Sequence, residues 1–237
     1  MACWQDGARP HKRARQGPRV IWVTGAPGTG KTTLVKKAVF KCKNHQVDLG
    51  TWPVRKVGSA TQLTWHEHVS QGIAVAGIYS FPDDERFPLQ HRGTSPANGG
   101  TDRLQPQSVG LLAELVKGHL ASADIFVVEG CARAKVGGPL IRQAMLAACR
   151  VLVLECVCDR EEAIARLQAR DHGSDGKGVK GVAPAIVHDR YAREVECARQ
   201  KLVDAAGAAT APVEWVCGRS DELAARLASE VAMAVAE

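Results

Sequence analysis

Apolar positions along this chain gather in short continuous runs, separated by stretches in which they recur at helical spacing. That pattern belongs to strands buried on both faces alternating with the helices that cover them. Val20-Ile21-Trp22-Val23, Ile125-Phe126-Val127-Val128 and Val151-Leu152-Val153-Leu154 are the clearest runs. Residues 72–79 read as a further buried strand, 213–216 as a last one, and 52–58 as a short one. Helical periodicity marks residues 33–40, a stretch from Pro106 through Val116, residues 139–148, a helix capped by Asp159, residues 184–206 and residues 221–235. Strands and helices alternate throughout in this reading, and no internal repeat interrupts them. The prediction is an α/β fold, a three-layer sandwich with a parallel sheet and helices on both faces.

Three stretches stand outside the pattern. Residues 1–18 form a polar arm with Arg9, Lys12, Arg13 and Arg15, read as disordered and set apart from a single domain over 19–237. Residues 80–107 are rich in Pro, Gly and charge, and a loop of that length within a domain is usually functional or disordered. Residues 171–183 are rich in Gly and Lys, with Lys177 and Lys180, and suit a small mobile lid.

At 237 residues with 45% hydrophobic content the chain can fill one core. A net charge of +6 suits an anionic partner, a nucleotide or nucleic acid, and equally suits simple solubility. The eight cysteines form no CxxC pair and no zinc spacing, which points to reduced thiols in an intracellular, cytoplasmic setting. No run approaches a membrane span, and the first residues lack the apolar core of a secretory signal.

Candidate chemistry concentrates directly after the first strand. Gly25-Ala26-Pro27-Gly28-Thr29-Gly30-Lys31-Thr32 is a complete GxxxxGKT, followed by Thr33 at the start of a helix. Glycines let such a loop turn its backbone N–H groups toward a phosphate chain, and the helix opening favours the same anion. Lys31 is expected to reach the β- and γ-phosphates of ATP and Thr32 to ligate Mg2+. Glu129 ends an apolar strand, and in open α/β sheets the carboxyl ends of strands line the ligand crevice. It is therefore the candidate second magnesium group, with a chance acid at a strand end as the alternative. Arg166 and Arg170 are i,i+4 neighbours able to clamp a transferring phosphoryl group or merely to form a solvated basic face. His66 and His68 lack a third ligand, so residues 59–70 read as surface or a substrate-facing loop.

A GTPase would carry an NKxD-type guanine reader, and none is present. A AAA-type or helicase motor would carry two adjacent acids at the end of its Walker B strand and a longer chain, whereas here a single Glu129 is followed by Gly130. The loop, the acid-ended strand and the Arg166/Arg170 helix with its lid resemble the P-loop nucleotide and polynucleotide kinases, over most of residues 19–218. More narrowly, Gly77-Ile78-Tyr79, the long loop, Gly100-Thr101-Asp102-Arg103-Leu104 and Glu129-Gly130 resemble the 5-hydroxymethyluracil DNA kinases. This chain departs from that pattern after Glu129-Gly130, where Arg133 stands displaced, and in the length of its loop. The resemblance implies an ATP-dependent phosphotransferase using magnesium, with DNA as partner. In it Asp102 takes the proton of an acceptor hydroxyl, Arg103 and Arg133 bind the acceptor, and Arg166 and Arg170 neutralise the moving phosphoryl group. Asp83 and Asp84 are rival bases, and Asp102 reads equally as a turn acid beside Arg103. A nucleoside, nucleotide or 5′-hydroxyl polynucleotide kinase and a non-catalytic nucleotide sensor are the alternatives.

Overall fold

Trp, Val, Ile and Thr crowd Arg19–Thr24, and this stretch forms the first strand, β1. The computed structural model describes residues 19–40, 54–57, 63–68, 72–76, 79, 125–130, 150–173, 182–206 and 213–236, with side chains for all of these except 54–57, 63–68, 76, 170–173, 201–206 and 234–236. After β1 comes helix α1, Lys31–Val35, continued by a π-helical turn over Lys36–Phe40. Three strands follow, β2 (Val54–Val57), β3 (Leu63–His68) and β4 (Ile73–Ala76). Then come β5 (Ile125–Glu129), β6 (Arg150–Cys156), α2 (Arg160–Gly173), α3 (Pro184–Ala206), β7 (Val213–Gly218) and α4 (Ser220–Ala236).

The seven strands form one sheet in the order β2-β3-β4-β5-β1-β6-β7. Five of them, β4-β5-β1-β6-β7, are parallel, as the alternation predicts. The β2–β3 and β3–β4 pairs are antiparallel, which corrects the expectation that strands alternate with helices throughout. The stretch 59–70, read as surface or loop, contains β3. Its short connections to β2 and β4 explain the direction, because a parallel crossover needs about a dozen residues.

Register sorts the side chains onto two faces. Ile21 aligns with Val127 and Leu152, and Val23 with Leu154, and together with Ile125 they pack with Leu34, Val35, Val39 and Phe40 from the α1 side and Leu223, Leu227 and Val231 from α4. On the opposite face Trp22 meets Trp215 edge to face at 6.3 Å, and Arg199 of α3 lies over the Trp215 ring at 5.6 Å. Helices therefore cover both faces, and the central strands β1 and β5 are buried almost throughout. At the amino end of the sheet, Arg19 of β1 pairs with Glu230 of α4, and Arg226 joins Glu230 to Glu214 of β7.

Residues 171–173, expected at the start of the lid, continue α2 instead. Asp171 and His172 are compatible with a helix, and Gly173 is its last residue. The arm 1–18, the loop 80–107, the helices predicted over 106–116 and 139–148, and residues 174–181 lie outside the described residues.

Candidate active site

The parallel register brings the carboxyl ends of β5, β1 and β6 side by side, and the GxxxxGKT loop leaves the middle one. Gly25, Gly28 and Gly30 hold φ of 137°, 87° and 97°, a region that L side chains rarely adopt. Space is as restrictive as conformation. A Cβ on Gly25 would stand 2.4 Å from the Cys156 carbonyl oxygen, and one on Gly28 2.4 Å from that of Ala163 in α2.

Side chains engage the carbonyls of this loop one after another. Lys31 Nζ donates to Gly25 O at 3.0 Å and to Ala26 O at 3.1 Å. Thr29 Oγ1 also donates to Ala26 O, at 2.8 Å. His188 Nδ1, from α3, lies 3.1 Å from Pro27 O, and Arg166 Nη1, from α2, donates to Gly28 O at 3.1 Å. Glycines at positive φ are what a loop needs if successive N–H groups are to turn toward an anion. Thr33, next along, is exposed on α1.

Glu129 completes the group. Its strand pairs Val23 with Glu129, and Gly130 N then donates to Val23 O at 3.1 Å, which holds the strand end against the root of the loop. The Glu129 carboxylate is 1% exposed, too deep for an acid without partners. Thr32 Oγ1 donates to Oε1 at 2.6 Å and Tyr79 Oη to Oε2 at 2.8 Å. Lys31, 6% exposed, is buried in the same region. A hydroxyl and a carboxylate at this separation are hard oxygen donors. Together they fit magnesium, which binds through one or two protein oxygens and substrate phosphates, rather than a metal needing an all-protein cage. Among the described residues no three His, Cys, Asp or Glu gather into such a cage.

The helix α2 opens beside this loop because Asp159 caps it. Asp159 Oδ1 accepts from Glu161 N at 2.8 Å, and Glu161 and Glu162 occupy the first turn, where acids complement the helix dipole. Arg166, one of the two arginines expected at the site, also donates to Glu162 one turn back. Arg170 is part of α2, and its side chain lies outside the described residues, as do Asp102, Arg103 and Arg133. Cys156 lies under the loop, and burial pushes its thiol up to about 12 although Lys31 pulls the other way.

The sequence assigned no site role to Tyr79, His188 or the Arg219–Ser220 stretch. Ser220 Cβ and Oγ would lie 3.0 Å from a Cβ on Gly30, and Arg219 Nη2 donates to Glu162 Oε2 at 3.1 Å. Tyr79 had two signals, its place at the end of an apolar run that joins the parallel sheet and its membership of Gly77-Ile78-Tyr79, one of the stretches that carry the family resemblance. His188 had none, being a single histidine on a long helix.

No known protein family and no curated protein sequence matches the chain. Among solved structures, a chain of the "Structure of the Pnkp1/Rnl/Hen1 RNA repair complex" superposes with a TM-score of 0.42 and 14% identity, over 79% of this chain and 47% of that one. The "Crystal structure of APE1195" superposes with a TM-score of 0.40 and 13% identity, over 94% of this chain and 99% of that one. This chain thus spans about half the length of the first neighbour. No helix among the described residues is long and apolar enough to cross a membrane. At this level of likeness neither neighbour assigns a family or an activity, and the functional reading rests on the loop, Glu129 and the residues that hold them.

Proposed function

We propose that the chain is an ATP-dependent kinase that transfers the γ-phosphate to a hydroxyl acceptor. The observation that carries the reading is the 2.6 Å hydrogen bond from Thr32 Oγ1 to Glu129 Oε1, which joins the first turn after the phosphate loop to the acid at the neighbouring strand end. A glycine-rich turn serving only to connect strand and helix has no need of that pair, nor of a buried lysine beside it.

In this reading Gly25 to Thr32 cradle the phosphates, and Lys31 exchanges its bonds to Gly25 O and Ala26 O for phosphate oxygens. Thr32 and Glu129 are the residues that would hold magnesium, which when bound neutralises charge on the phosphates. Arg166, already anchored on the loop at Gly28 O, stands beside the phosphates with a guanidinium that stays charged and forks onto their oxygens. The acceptor oxygen forms a bond to the γ-phosphorus as the bond to the ADP oxygen breaks, and the acceptor proton passes to Asp102. Arg170 shares the charge of the moving group, while Arg103 and Arg133 hold the acceptor. Phosphoryl transfer needs mainly positioning and electrostatics, so these groups suffice for the chemistry.

The acceptor in this proposal is the hydroxymethyl group of 5-hydroxymethyluracil in DNA, on the strength of the sequence resemblance over 77–79, 100–104 and 129–130. The test offers labelled γ-phosphate from ATP to three acceptors in parallel: DNA containing 5-hydroxymethyluracil, plain DNA with 5′-hydroxyl ends, and mixed nucleosides and nucleoside monophosphates. Label on the modified base, lost in Asp102→Asn, is the expected result. Label confined to DNA ends or to mononucleotides keeps the kinase and removes the base acceptor. No label on any acceptor, with ATP still bound, overturns the kinase and leaves a nucleotide sensor.

A further inference from the structure

We infer that Tyr79 is a positioning residue for the magnesium site, fixing the rotation of the Glu129 carboxylate so that one oxygen is presented beside Thr32. The inference deepens the proposed function and rests on its reading of Glu129.

The two oxygens of Glu129 are held from different elements. Oε1 accepts from Thr32 on α1 at 2.6 Å, and Oε2 accepts from Tyr79, just beyond β4, at 2.8 Å. The terminal torsion of a glutamate is broad, with little preference of its own, so the carboxylate plane takes its orientation from what binds each oxygen. Tyr79 is well suited to the task because its ring cannot easily move. It is fully buried and lies against Phe40 with centroids 5.1 Å apart. Phe40 ends the π-helical turn that continues α1, and β4 pairs directly with β5. The phenol is thereby braced from both elements that define the site, the helix carrying Thr32 and the strand carrying Glu129. Partners that orient a metal-binding carboxylate commonly govern metal affinity without touching the metal.

A plain packing role for Tyr79 makes a different prediction, and the two separate in one experiment on the full chain. Tyr79→Phe keeps the ring and its contact with Phe40 while removing the hydroxyl. The readouts are ATP binding in EDTA and binding of Mn2+ to the protein with ATP, followed by electron paramagnetic resonance. Tyr79→Phe is expected to bind metal-free ATP within about twofold of wild type and to bind Mn2+ roughly tenfold more weakly, the usual effect of removing such a partner. Glu129→Gln is expected to weaken Mn2+ at least as much. Unchanged Mn2+ binding in Tyr79→Phe, with Glu129→Gln weakened, overturns the inference alone. Loss of metal-free ATP binding in step with Mn2+ also overturns it, as a packing effect. Unchanged Mn2+ binding in Glu129→Gln removes the reading of Glu129, and the inference falls with it.

Discussion

Gly28→Ala is the substitution at which conformation and space act together. Gly28 holds φ of 87°, where a Cβ costs about 1–2 kcal/mol. That Cβ would meet three backbone atoms of Ala163, its O at 2.4 Å, C at 3.0 Å and Cα at 3.1 Å. No rotamer relieves a clash with helix backbone, so α2 must retreat by about 1 Å to reach ordinary contact, and overpacking of this kind costs about 1–3 kcal/mol. The expected loss is on the order of 3 kcal/mol, read from the urea midpoint at constant slope. ATP affinity should fall as well, because the retreat draws Arg166 away from Gly28 O. Gly218→Ala is the control. Gly218 is not at positive φ, and its nearest contact is Glu222 Oε2 at 3.1 Å, the tip of a flexible side chain, so a loss below about 1 kcal/mol is expected. Gly28→Ala within about 0.5 kcal/mol of wild type would mean that the loop and α2 are not in close backbone contact.

Two further outcomes follow from the titrating groups. Burial holds the Cys156 thiol protonated up to about 12, so iodoacetamide at about pH 8 should modify exposed Cys197 while sparing Cys156, and equal rates at the two would contradict this. Because the folded-state value is raised, stability is retained below the ordinary thiol value and lost as pH climbs through the raised one, an effect visible as an alkaline fall in the denaturation midpoint. Arg160 forks onto Asp189 at 2.8 and 2.7 Å and lowers its carboxyl, so this tie between α2 and α3 is present above the ordinary carboxylate range and fades as pH drops through the lowered value. Both side chains are exposed, and Arg160→Ala should move the midpoint only slightly, and not at all at high salt; a large shift that survives salt would contradict the assignment.

What was legible in the sequence was what local rules determine. The GxxxxGKT glycines foretell the positive-φ loop because only glycine enters those conformations cheaply. The Asp159 cap and the acids of the next turn foretell where α2 begins. The apolar run ending in Glu129 was enough to expect an acid beside the loop, since parallel strands place their carboxyl ends together. The antiparallel β2–β3–β4 edge escaped because connection length decides strand direction there, and residues 59–70 carry no clean apolar alternation. Tyr79 and His188 escaped for another reason. Their partners, Glu129 and Pro27, stand 50 and 161 positions away, and no spacing rule connects a phenol or an imidazole to a group that only the fold brings near.

Whether the chain is a kinase is decided by transfer of labelled phosphate from ATP, with wild type and Lys31→Ala run side by side. A labelled acceptor is expected with wild type and none with a folded Lys31→Ala, because the lysine held beside Gly25 and Ala26 is the group assigned to the phosphates. Equal transfer by both proteins, or none by a wild type that binds ATP, would contradict this reading.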